Sequence, residues 1–153
     1  MIEDTATLIA VGAAFVAALS ALYARWQALA AGHANEIALH ENRLTVYKGL
    51  VRFRAHISAH GTSIKEEEVC RFAEAAELSE FYFPPHIHPR LDAIFEQAMK
   101  LLSLNDEWEQ AKQYDQDKAN GLVKQRHELM RGTRDECYQI TNELKPHLRV
   151  GGA

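Results

Sequence analysis

Hydrophobic and polar positions divide the chain into one long apolar run followed by a series of helical stripes. From Thr5 to Ala24 there is no charged residue, a run of 20 positions. As a helix it spans about 30 Å, the thickness of a bilayer's hydrocarbon core. Leu8, Ile9, Val11, Phe15, Val16, Leu19 and Leu22 supply the transfer energy, each favourable by about 0.3–0.6 kcal/mol near mid-helix, while the alanines add little. Tyr23 and Trp26 bracket Arg25 at the far end, where amphipathic rings and a snorkelling cation suit the headgroup level. Small residues recur at four-residue spacing in Ala10, Ala14 and Ala18 and again in Ala13, Ala17 and Ala21, with Gly12 beside them. Such ladders let helix backbones approach closely in lipid, which offers a face for homo-oligomer formation.

A cleaved signal peptide has basic residues ahead of its apolar run, whereas Met1, Ile2, Glu3 and Asp4 are apolar or acidic, so a retained anchor is expected. Lysine and arginine are absent before the run and present after it as Arg25 and Arg43. The positive-inside rule then places the C-terminal body in the cytoplasm. The expected organisation is a membrane anchor over residues 1–31, spanning at about 5–24, and a cytoplasmic helical body over 32–153. An Ala-rich helix buried in a soluble core shares this pattern, so a soluble helical oligomer with a buried N-terminal helix is the rival arrangement.

Beyond Trp26 the periodicity is helical throughout, and no stretch alternates apolar and polar residues as a strand would. Leu39, Val46, Leu50, Phe53 and Ile57, joined by Leu44, Tyr47 and Val51, make one apolar stripe that needs a partner helix. Gly32 and Gly49 each weaken this helix by about 1 kcal/mol relative to alanine, and a bend is expected near Gly32. His60 and Gly61 end it. Ser63 followed by Glu66 has the spacing of a capping box, predicting a second helix from about Ser63 to Leu78 with Val69, Phe72, Ala73 and Ala76 on its apolar face. Phe81, Tyr82 and Phe83 precede Pro84 and Pro85, where prolines stop one helix and can start the next. A third helix buries Ile87, Leu91, Ile94, Phe95, Ala98 and Leu101 and ends near Asn105, with Trp108 anchoring the segment beyond it. Residues 109–120 are almost wholly polar, an exposed loop or a helix extension. A fourth helix carries Leu122, Arg126, Leu129, Thr133, Cys137, Ile140 and Leu144 until Pro146 breaks it, leaving a tail with Leu148 and Val150. The fold class is all-α: an N-terminal transmembrane helix followed by an antiparallel bundle of about four helices.

Charge adds one refinement. The net charge is −4, which gives no global pull toward nucleic acid. Residues 61–117 carry −8, flanked by +3 over 25–60 and +3 over 118–153, so the acidic middle is expected to pair with basic outer helices. Arg43, Lys48, Arg52 and Arg54 stand about 27 Å of straight helix below the headgroups. Screening acts over about 8 Å, so the acidic second helix is a better partner for them than anionic lipid. An acidic protein partner is the alternative.

Candidate chemistry is sparse. Eight histidines are present, and His56 with His60 has the spacing that puts two imidazoles on one helix face. A metal site would need further ligands, for which His86, His88 and Glu66 are the candidates; surface and helix-end roles are the commoner fate of such histidines. Cys70 and Cys137 fall outside any paired-ligand spacing and read as small buried hydrophobes. Phosphate-loop, dinucleotide, zincin and hydrolase-elbow motifs are absent, so neither an enzyme activity nor a cofactor is expected.

Arg43, Val46, Tyr47, Leu50 and Phe53, then Phe81 and Phe83 before Ile87, Leu91, Ile94, Ala98 and Leu101, resemble a group of small, single-pass bacterial membrane proteins with a helical cytoplasmic domain and no assigned activity. The resemblance covers most of the body through packing positions. It implies placement in the bacterial cytoplasmic membrane and carries over no catalytic residue. The expected function is a membrane-anchored interaction or scaffolding module; a histidine-based metal sensor or metalloenzyme in the same bundle is the second expectation.

Overall fold

The structure is a computed structural model that describes the backbone of residues 2–148 and the side chains of residues 12–148. Met1, the tail with Val150, and the side chains of Glu3, Asp4, Leu8, Ile9, Ala10 and Val11 lie outside the described residues. Among the described residues four α-helices and one short 3-10 turn follow in order: α1 (Ile2–His60), α2 (Glu66–Tyr82), α3 (Ile87–Tyr114), α4 (Gln116–Leu144) and a turn at Lys145–Leu148. Among the described residues there is no strand. The chain divides into two compact units, Met1–Leu39 and His40–Ala153.

In the second unit the stripe read from the sequence is the core. Val46, Leu50, Phe53 and Ile57 of α1 are buried with Val69, Phe72 and Ala76 of α2, Ile87, Leu91, Ile94, Ala98 and Leu101 of α3, and Cys137, Ile140 and Leu144 of α4. Phe53 and Phe72 stack with ring centroids 4.6 Å apart. Gly49 is where α1 and α2 come closest: a Cβ built there would sit inside van der Waals contact of the Ala75 methyl. Its lost helix propensity is offset by this approach.

The turn after α1 differs from the capping box expected at Ser63. Gly61 takes a left-handed φ of 61° and donates its N–H to the Ile57 carbonyl at 2.8 Å, a glycine C-cap. Ser63 N–H is used within this turn, bonding the His60 carbonyl at 3.1 Å, and Ile64 is buried in the core. Burying Ile64 moves the helix start to Glu66, with Lys65 at the N-cap and no side-chain cap. Glu66, Glu67 and Glu68 occupy the first turn, where the positive end of the helix favours them. The helix also runs past Leu78 to Tyr82, stopping ahead of Pro84 and Pro85.

Helix α3 continues beyond Asn105 to Tyr114, so the polar stretch is helix on both sides of one break. Asp115 is extended, its N–H bonds the Ala111 carbonyl at 2.7 Å, and its side chain accepts from Lys118 N–H at 2.9 Å as the N-cap of α4. A second apolar cluster of Leu104, Ala111, Ala119 and Leu122 packs here with Trp108 against it. Within the polar stretch Ala111 and Ala119 are the buried positions, and with Leu104, Leu122 and Trp108 they close the two helices. Contacts between α3 and α4 step in opposite senses along the chain: Arg90 meets Glu143, Gln97 meets Thr133 and Asn105 meets Arg126.

Cys137 is buried as expected, and burial pushes its thiol up to about 12. Cys70 is exposed, which corrects the expectation that both cysteines are buried. It follows the buried Val69 directly, so it points away from the core.

Candidate functional site

In the first unit every described side chain from Gly12 to Ala38 is exposed. Phe15, Val16, Leu19, Leu22, Tyr23, Trp26 and Leu29 are all at least half exposed, Trp26 by 75%. Among the described residues α1 is the helix long and apolar enough to cross a membrane, and none of its apolar window is buried within the chain. Length and apolarity are shared with soluble core helices and signal sequences; an uncovered apolar stretch is a surface for lipid or for another protein to cover. The small residues Gly12, Ala13, Ala14, Ala17, Ala18 and Ala21 are exposed in the same stretch.

The four candidate histidine ligands fall into three places. His56 and His60 stack on α1 with ring centroids 4.3 Å apart. His56 Nε2 accepts the Lys65 backbone N–H at 3.1 Å, and His60 Nδ1 lies 3.1 Å from the His56 carbonyl, to which it donates. His86 Nε2 donates to Glu143 at 2.8 Å. His88 Nδ1 donates to the Ala76 carbonyl at 3.1 Å. Thus His86 and His88 are tied to α4 and α2 and do not complete the His56–His60 pair, while Glu66 is not among the groups bonded to either ring. Among the described residues no group of three or more His, Cys, Asp and Glu side chains is placed to hold a metal ion.

The polar surface of the body is organised as cross-helix pairs. Arg52 donates through Nε and Nη2 to the two Glu68 oxygens, each at 2.9 Å, and Arg71 also bonds Glu68 at 2.9 Å. This is the expected pairing of the basic end of α1 with acidic α2. The bond from Arg52 and its positive charge hold the Glu68 carboxyl below its usual range. Arg43 instead donates to the Tyr82 and His147 carbonyls, and the Arg54 guanidinium lies 5.7 Å from the Tyr138 ring centre. A groove of about 310 Å³ beside Gly49 has Phe53, Phe72 and Leu78 among its lining and the Arg52–Glu68–Arg71 cluster at its rim.

Two further networks lie beyond the reach of the sequence pattern. Arg90 joins Glu136 and Glu143 of α4, with His86 on the far oxygen of Glu143; the His86 bond and the Arg90 guanidinium hold the Glu143 carboxyl low. Arg126 is 6% exposed, donates to Asn105 Oδ1 at 2.6 Å and Thr62 Oγ1 at 3.1 Å, and lies 4.4 Å from the Trp108 ring centre. Burial pushes its guanidinium pKa down. Asn105 completes this clamp by donating to the Thr62 carbonyl at 2.7 Å. The helical stripe marks Arg126 as inward-facing; its partners depend on a turn remote in sequence, for which no local signal exists.

No family model, curated protein or solved structure matches the chain. Any functional reading therefore rests on the physical features of the two units.

Proposed function

We propose that the chain is a single-pass protein of the bacterial cytoplasmic membrane whose cytoplasmic body, an antiparallel helical bundle, serves as an interaction or scaffolding module. The observation that carries this reading is the uncovered apolar face of α1 from Phe15 to Leu29. In water that face is unfavourable by about 25 cal/mol for each Å² left exposed, and a bilayer removes the cost along the whole run. Tyr23 and Trp26, exposed on either side of Arg25, have the chemistry of a headgroup boundary. The small-residue face is the surface through which a second copy would pack in lipid. The body's own partner is a protein, and the described residues offer it paired charges and half-buried rings, with no assembled catalytic constellation among the sites described above.

Alkaline carbonate washing of membranes tests the anchor: the protein stays in the pellet, and its appearance in the supernatant would refute a spanning helix. Cys70, exposed on α2, reports orientation. A membrane-impermeant maleimide leaves it unlabelled in intact cells and labels it after lysis; labelling in intact cells would reverse the topology.

A further inference from the structure

The start of α2 holds a feature independent of the membrane reading. In a capping box the third helical residue, here Glu68, would reach back to accept the N–H of the N-cap residue, here Lys65. Glu68 instead faces Arg52 and Arg71, and the Lys65 N–H is accepted by His56 Nε2 from the preceding helix. A neutral imidazole from α1 thus occupies the place of the capping carboxylate. Only the unprotonated ring nitrogen can accept this bond, which requires the tautomer carrying its proton on Nδ1.

We propose that His56 is a pH-sensitive latch between the end of α1 and the first turn of α2, closed when its imidazole is neutral and released when it is protonated. The charged and titratable groups facing it are Arg52 and His60 on its own helix, Lys65 in the turn and Glu68 on α2. Partial burial, the stacked His60 and the two cations disfavour a charge on the ring; Glu68 alone favours it, and the balance lies toward the neutral form. Its titration therefore falls below the ordinary histidine value of 6.5. The folded state binds this proton less readily than the unfolded chain. The latch's contribution is complete above that value and is lost as pH falls through the midpoint of the folded ring. On release the Lys65 N–H loses its acceptor, and a charged His56 stands against His60 at 4.3 Å between ring centres.

The test is a pH titration from 8 to 4.5 of the full chain in detergent micelles, labelled at histidine and lysine and followed by nuclear magnetic resonance. His56 is expected as the Nδ1-protonated tautomer at high pH. The Lys65 amide proton should shift with the same midpoint as the His56 ring, below that of a free histidine, and its protection against exchange, taken relative to the intrinsic rate at each pH, should fall about fivefold once the ring is charged. His56→Gln supplies an acceptor that does not titrate, so Lys65 should stay protected across the range. His60→Ala should move the His56 midpoint upward. A Lys65 amide that is insensitive to pH, a midpoint differing from that of His56, or a neutral ring protonated on Nε2 would each overturn the proposal.

Discussion

Phe15 and Phe53 lie on one helix and have opposite surroundings. Phe15 is 66% exposed, with exposed neighbours at Val16, Leu19 and Leu22; Phe53 is 1% exposed and stacked on Phe72. Both stretches are apolar, but only the later one interleaves charge, with Lys48, Arg52 and Arg54 around its stripe. That interleaving makes the difference: a helix with one apolar face finds its cover within the chain, whereas one that is apolar all round needs cover on every side. The body supplies three further helices to the first kind. Lipid is the cover proposed for the second.

Truncating the two rings should have very different consequences. Phe53→Ala should destabilise the body by about 3–5 kcal/mol, through lost burial and the cavity left behind. Phe15→Ala should leave the thermal unfolding of the body unchanged. Parallel circular dichroism melts check the pair, and equal effects would remove the distinction between the two stretches.

A charge placed in each stretch separates lipid from core. Phe15→Arg should cost about 2.5–3.5 kcal/mol of insertion, comparable with the whole favourable transfer of seven aliphatic and aromatic residues at about 0.3–0.6 kcal/mol each. The membrane-bound fraction should fall while the body stays folded, measured by fractionation together with protease resistance.

Gly32 and Gly49 of α1 differ in the same way. Gly32 has nothing within 4 Å of an added Cβ, while at Gly49 that carbon would collide with Ala75. Gly49→Ala gains about 1 kcal/mol of helix propensity and loses more to overpacking of about 1–3 kcal/mol, so a net fall in melting temperature is expected. Gly32→Ala should leave the melt unchanged or raise it. Urea denaturation of the two variants gives the sign of each.

Helical periodicity makes the stripes of α1, α3 and α4 legible because a 3.6-residue repeat reports burial whatever the partner is. Arg126 reads as inward-facing on that ground alone. The start of α2 departs from its local pattern because Ser63 and Glu66 satisfy the capping rule while the burial of Ile64, a tertiary effect, moves the cap to Lys65. The length of α3 is ambiguous in the sequence because Ala111 and Ala119, small and surrounded by polar residues, carry little periodic signal. The close approach at Gly49 and the His56–Lys65 bond join positions on different elements, and no local pattern encodes them.

The smallest effect expected is acid sensitivity of the body. The carboxyls of Glu68 and Glu143 are held below the ordinary value of 4.5 by their partners. The unfolded chain therefore takes up protons first as pH falls, and stability present above about 4.5 is lost on passing below it toward the folded values. Both carboxyls are partly exposed, so screening keeps the change small. Glu68→Gln should flatten the dependence of melting temperature on pH between 5 and 3, and an unaltered slope would show that Arg52 does not stabilise the native state through this charge.

The claim that the N-terminal stretch is covered by lipid is tested most directly by depth-dependent fluorescence quenching. With Trp26 and Trp108 replaced by phenylalanine, a single tryptophan at Leu19→Trp reports its own surroundings in vesicles whose acyl chains carry bromine. A tryptophan covered by lipid should be strongly quenched, and the quenching should persist at high salt. An unquenched tryptophan, in water or against other protein, would rule out lipid as the cover of α1.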